Sequence, residues 1–69
     1  MSKYLVIIEK AKRNYSAYCP DLPGCVATGA TKRDVERNIR SAISLHLEGL
    51  KAEGLSIPPQ AAIAEYVAV

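Results

Sequence analysis

Between Thr31 and Glu53, in the stretch TKRDVERNIRSAISLHLEGLKAE, the chain places Val35, Ile39, Ala42, Ile43, His46, Leu47 and Leu50 at steps of three and four. At about 100° per residue this period gathers them on one stripe of a helix roughly 20 residues long. The ends of the helix carry their own signals. Thr31 is an N-cap residue, Asp34 at the third helical position completes a capping box, and Gly54 follows the last periodic turn as a C′ residue. A helix with a single apolar stripe must bury it against something. The segments left over are all short, so the cover has to be a sheet.

Lys3 to Lys10 reads as a strand because Tyr, Leu, Val, Ile and Ile follow one another without Gly or Pro. A polar connection, Ala11 to Asn14, separates it from a second strand at Tyr15 to Cys19, which predicts an antiparallel hairpin. In Pro20-Asp21-Leu22-Pro23-Gly24, Pro23 supplies the fixed φ and Gly24 the positive φ of a type II turn. Cys25 to Gly29 then returns as a third strand, with Gly29 marking a bulge or a close approach ahead of the helix cap. After Gly54, Pro58 and Pro59 hold an extended connection, and the alternation in Ile63 to Val69 predicts a last strand. A crossover through the helix lets that strand pair parallel to the first. The expectation is an α+β domain, β-β-β-α-β, with one helix packed on a small, mostly antiparallel sheet in the order third-second-first-fourth. The sheet face away from the helix is under-covered, which makes it a candidate protein interface.

Size and charge narrow the possible functions. Residues 1–69 form one domain with a thin core, since a chain of this length buries only about 60% of its unfolded surface. Self-association as a dimer or higher homo-oligomer is therefore expected. No run of 18 apolar residues occurs, and the apolar stretch Tyr4 to Ile8 leads directly into Glu9 and Lys10, so neither a membrane span nor a secretory leader is expected and the location is read as cytoplasmic. The formal net charge is only +2, yet Arg33, Arg37 and Arg40 lie within about 60° of one another on the helix, away from the apolar stripe. They form either a solvated face or a cationic surface. The absence of an interleaved aromatic argues against a base-stacking platform.

Catalytic chemistry finds little support in the residues. Glu9, Glu48 and Glu65 fall one to an element, as a two-metal nuclease would require, but Glu48 points about 160° away from His46 around the helix. Asp34 is taken up by the cap. His46, alone in an apolar stripe, is a packing residue, and Cys19 and Cys25 lack the partners of a zinc site and read as two reduced thiols facing each other across a hairpin. Neither a metal nor a cofactor is expected.

The run Tyr18-Cys19-Pro20-Asp21-Leu22-Pro23-Gly24-Cys25, joined through Thr28-Gly29-Ala30-Thr31 to a helix carrying Val35, Asn38, Ile39, Ala42 and Leu47, resembles the N-terminal domain of HicB-like antitoxins. The resemblance covers nearly the whole chain and rests on Pro20 to Gly24 together with Gly29 and Thr31. It implies a fold similar to a truncated RNase H domain, self-association, and binding to a small HicA-like mRNA interferase toxin whose activity it blocks. Members that regulate their own operon carry a further DNA-binding module. This chain ends at Val69 with no recognition helix outside the compact domain, so strong autonomous DNA binding is not expected. An oligomeric structural or regulatory protein-binding domain is the alternative reading, with a metal-dependent nuclease a distant third.

Overall fold

A computed structural model describes residues 3–69. Three strands are followed by one helix: β1 (Ile7–Lys10), β2 (Tyr15–Tyr18), β3 (Val26–Gly29) and α1 (Lys32–Ala52). The sheet runs β1-β2-β3 and both pairings are antiparallel, so β2 is central and β1 and β3 are edges. One row across the sheet joins Ile8, Ala17 and Ala27, and the next joins Ile7, Tyr18 and Val26. Adjacent residues of a strand point to opposite faces. The first row therefore belongs to the core under α1, and the second to the uncovered side.

The core consists of Ala17, Cys19, Leu22, Cys25, Val35 and Ile39, with Tyr4, Val6, Ile8, Ala42, Ile43 and Leu47 packed around it. The helical stripe is thus confirmed but graded along its length. Val35 and Ile39 are buried, whereas His46 and Leu50 near the C-terminal end are only half-buried. Leu22, which the sequence assigns to a turn, is fully buried.

The helix ends follow the expected chemistry with one change. Thr31 Oγ1 accepts the Asp34 amide at 3.0 Å. The reciprocal half of the capping box is replaced, because the Asp34 carboxylate accepts instead from Arg37, also at 3.0 Å. At the other end Gly54 has φ of 70°, its amide donates to Lys51 O, and the Leu55 amide reaches back to Leu50 O at 2.9 Å. That pair of bonds is a Schellman motif.

Three boundaries and one element differ from expectation. The first strand begins at Ile7 rather than Lys3, and Cys19 and Cys25 lie just outside β2 and β3. The expected fourth strand, Ile63–Val69, does not join the sheet: these residues carry no ladder and all are exposed. The preceding segment explains why. Pro58 O accepts from the Tyr4 hydroxyl at 2.6 Å, beside the start of β1. Three residues later the amides of Ala61 and Ala62 donate to the Asp21 carboxylate at 3.1 Å, in the β2–β3 connection. The chain is carried past the start of β1 and on toward that connection, so residues 63–69 emerge beyond the edge they were expected to pair with.

Candidate protein interface

The motif residues are positioned by two consecutive turns. The Leu22 amide donates to Cys19 O at 3.1 Å, the Cys25 amide donates to Leu22 O at 3.0 Å, and the Cys19 amide closes the loop onto Cys25 O at 3.1 Å. Pro23 and Gly24 occupy the central positions of the second turn, and Gly24 has φ of 81°, as a type II turn demands. Leu22 is driven inward between the turns and plugs the bottom of the core. Pro20, Pro23 and Gly24 are exposed, while Asp21 is committed to the amides of Ala61 and Ala62.

Gly29 serves a different need. A Cβ placed there would lie 2.5 Å from the Val35 backbone nitrogen, so the glycine lets the first turn of α1 press directly on β3. Asn38 reinforces this contact by donating from Nδ2 to Thr28 O at 2.8 Å. Pro20, Asp21, Leu22, Pro23, Gly24, Gly29 and Thr31 accordingly build the fold. None of them lines the groove between α1 and β1.

Arg33, Arg37 and Arg40 are exposed, as expected. Arg37 is paired with Asp34 at 3.0 Å, and Lys32 lies 3.8 Å from Glu36. Exposed pairs of this kind contribute little to stability but soften the cationic character of the face. Arg40 departs from the expected arrangement. It lies on the rim of a groove between α1 and the edge of β1, rather than wholly on the side remote from the apolar stripe.

Two apolar surfaces remain uncovered. On the open face of the sheet Ile7, Tyr18 and Val26 form a row, with Tyr18 43% and Val26 65% exposed. Ala17 and Ala27, one position away along their strands, face the helix. The second surface is the groove itself, about 540 Å³ and open to solvent, with Tyr4, Val6 and Ile8 on one wall and Ile39, Ile43 and Leu47 on the other. It exists because α1 lies mainly over β3 and β2. Sequence reading missed this groove, since the tilt of a helix across a sheet is a property of long-range packing and leaves no periodic signal.

The titratable residues form no reactive cluster. Glu9, Glu48 and Glu65 are each exposed, and among the described residues no group of three His, Cys, Asp or Glu side chains could hold a metal ion. Cys19 and Cys25 are free and buried. Burial, and secondarily the neighbouring Cys19, push the Cys25 thiol above its ordinary pKa, which leaves it protonated and weakly nucleophilic.

A family model described as the HicB_like antitoxin of bacterial toxin-antitoxin systems matches residues 4–69. The chain belongs to the HicB-like antitoxin family. Its fold is similar to a chain of a HicA3 and HicB3 toxin-antitoxin complex, with a TM-score of 0.69 and 33% identity, covering 84% of this chain and 70% of that one. Among curated relatives, an uncharacterized protein in the rep-hol intergenic region of Haemophilus phage HP1 is 34% identical over 64 residues, which is 93% of this chain but 48% of the phage protein. A UPF0150 protein of Thermoplasma acidophilum is 42% identical over 57 residues, 81% of this chain and 83% of the relative. The HicB-like chain therefore spans about half of the phage relative and most of the archaeal one. None of the helices among the described residues is long and apolar enough to cross a membrane.

Proposed function

We propose that this HicB-like domain binds a small HicA-like ribonuclease toxin and inhibits it by covering the surface that receives RNA. The observation that carries the reading is the match to a HicA3 and HicB3 toxin-antitoxin complex at 33% identity across 84% of the chain. Steric occlusion needs no catalytic group on the antitoxin. It needs an apolar patch with a polar surround, and the open sheet face offers one: Ile7, Tyr18 and Val26 in a row, flanked by Glu9, Ser16 and Thr28 on the same side. A partly exposed tyrosine on a rigid strand is the residue type that dominates binding energy at such patches. The face is also preformed, so little ordering would be needed on association.

The test is co-expression with the short reading frame adjacent to the gene, where that frame encodes a small basic RNA-binding protein. The expected results are co-purification, loss of the neighbour's RNA cleavage in the complex, and binding weakened by at least about tenfold in Tyr18→Ala. A toxic ribonuclease that neither binds this chain nor loses activity in its presence overturns the antitoxin assignment. Inhibition that survives Tyr18→Ala with unchanged affinity would retain the assignment and move the interface elsewhere. RNA cleavage by the purified domain with a divalent metal, abolished in Glu9→Gln, would replace the reading with an enzymatic one.

A further inference from the structure

The segment after Ala62 and the groove beside β1 are each incomplete, and each has what the other lacks. Residues 63–69 alternate, with Ile63, Glu65, Val67 and Val69 on one side and Ala64, Tyr66 and Ala68 on the other. Ile63 is 84% and Val67 76% exposed, and Tyr66 and Val69 are fully exposed. The segment carries three β-branched residues, Ile63, Val67 and Val69, and its backbone joins no ladder. β1, meanwhile, pairs with β2 along one side only, which leaves its outer edge with unpaired backbone groups. Beneath that edge lies the apolar groove walled by Tyr4, Val6, Ile8, Ile39, Ile43 and Leu47.

The segment cannot fill its own groove while its anchors hold. Tyr4 fixes Pro58, and Asp21 fixes the amides of Ala61 and Ala62, so the chain has already been led across toward the β2–β3 connection before residue 63 begins. A second molecule, by contrast, can accept the strand with all three anchors intact. Because donor strand and acceptor edge are on the same chain, two copies can exchange strands reciprocally, which closes the assembly with two-fold symmetry and leaves neither strand unpaired.

Charge fits the same arrangement. The groove is lined by one acid and one base besides its apolar walls: Glu36 is taken up by Lys32 at 3.8 Å, whereas Arg40 has no carboxylate within 4.0 Å among the described residues. Glu65 shares the strand side of Ile63 and Val67, so seating those two side chains in the groove turns Glu65 toward the rim. We infer that Ile63–Val69 is an exchange strand: it adds to the free edge of β1 in a second copy of this chain, placing Ile63 and Val67 in the partner's groove and Glu65 beside the partner's Arg40. This inference does not depend on the toxin-binding proposal, which concerns the opposite face of the sheet.

Light scattering on the full chain at micromolar concentration is expected to give twice the chain mass of 7.5 kDa. In a sample mixing isotope-labelled and unlabelled protein, filtered NOE spectra are expected to show intermolecular contacts from the Val67 methyls to Val6 and Ile8. Val67→Asp lies outside the core of the single molecule, so it is expected to retain the helical circular dichroism while dimerisation weakens by about tenfold or more. Arg40→Glu is expected to weaken the dimer, and Arg40→Glu with Glu65→Arg to recover it. A monomer at these concentrations overturns the inference. So does a set of Val67 contacts to Val6 and Ile8 that disappears under the intermolecular filter, or a dimer indifferent to Val67→Asp.

Discussion

At the scale of single residues, the smallest side chain in the sheet sets the packing distance of the whole domain. Gly29 lies against the backbone of Asp34 and Val35, with Val35 N only 2.5 Å from where a Cβ would stand. Neither neighbour is the far end of a flexible side chain. Gly29→Ala must therefore shift α1 bodily, and the expected cost is about 1–3 kcal/mol in reversible denaturation, at the scale of overpacked cores. Gly24, by contrast, has open space around it but φ of 81°, so its glycine answers to backbone conformation rather than to crowding. Cys25 permits a prediction with a definite sign. Its folded pKa is raised above the ordinary 9.0, first by burial and then by Cys19. Above the unfolded value the unfolded chain releases the proton while the folded chain keeps it, so the folded state holds more protons and stability falls as pH rises. Denaturation midpoints are expected to decline above about pH 9 more steeply in the native sequence than in Cys25→Ala, and alkylation of Cys25 at pH 8 is expected to be slow until the domain unfolds.

At the scale of elements, the parts governed by local chemistry were legible in the sequence and the parts governed by distant contacts were not. The helix from Lys32 to Ala52 with its Thr31 cap and Gly54 terminus follows directly from spacing and cap residues, as does the turn at Pro23-Gly24. Leu22 escaped notice as core because a lone leucine between two turns has no periodicity to report it. The last segment was misassigned to the sheet for a related reason. Its alternation was visible, but whether a strand pairs depends on where its ends are held, and the holding group, Asp21, is 40 residues away from Ala61. This gives Asp21 a role that a turn residue would not have. Two amides donate to a charged acceptor, and such bonds contribute more than neutral ones. In Asp21→Ala the amide hydrogens of Ala61 and Ala62 are expected to exchange about tenfold faster or more, while the amides of Val35 and Ile39 in α1 keep their protection. Acceleration throughout the helix would show instead that Asp21 supports the turn and the core.

At the scale of the whole molecule, the distribution of charge bears on nucleic acid binding. The net charge is +2, and most of the cations are divided between the β1–β2 hairpin, with Lys10, Lys12 and Arg13, and α1. Within the first group Lys10 lies 6.0 Å from the ring centre of Tyr15. On the helix Lys32 and Arg37 face Glu36 and Asp34. Arg33, Arg40 and Lys51 on the helix, like Lys12 and Arg13 in the β1–β2 connection, remain exposed without such pairing, but divided between two places they give neither one enough phosphate-neutralising groups for tight backbone binding. Sequence readout further requires an element whose side chains reach base edges. The long helix cannot serve unaltered, because its Val35 and Ile39 side is buried against the sheet and its exposed side carries two ion pairs. Fluorescence anisotropy with DNA from upstream of the gene is therefore expected to show only weak binding, indifferent to sequence, that fades between about 50 and 200 mM salt with a shallow log–log slope of about −2 to −4. Arg33→Ala should reduce that slope by about one without altering sequence preference. Discrimination between upstream and scrambled DNA at nanomolar protein, lost in Arg37→Ala, would be the contrary result. It would mean that the Asp34–Arg37 pair opens on contact with DNA and that two arginine faces act together across an assembled dimer.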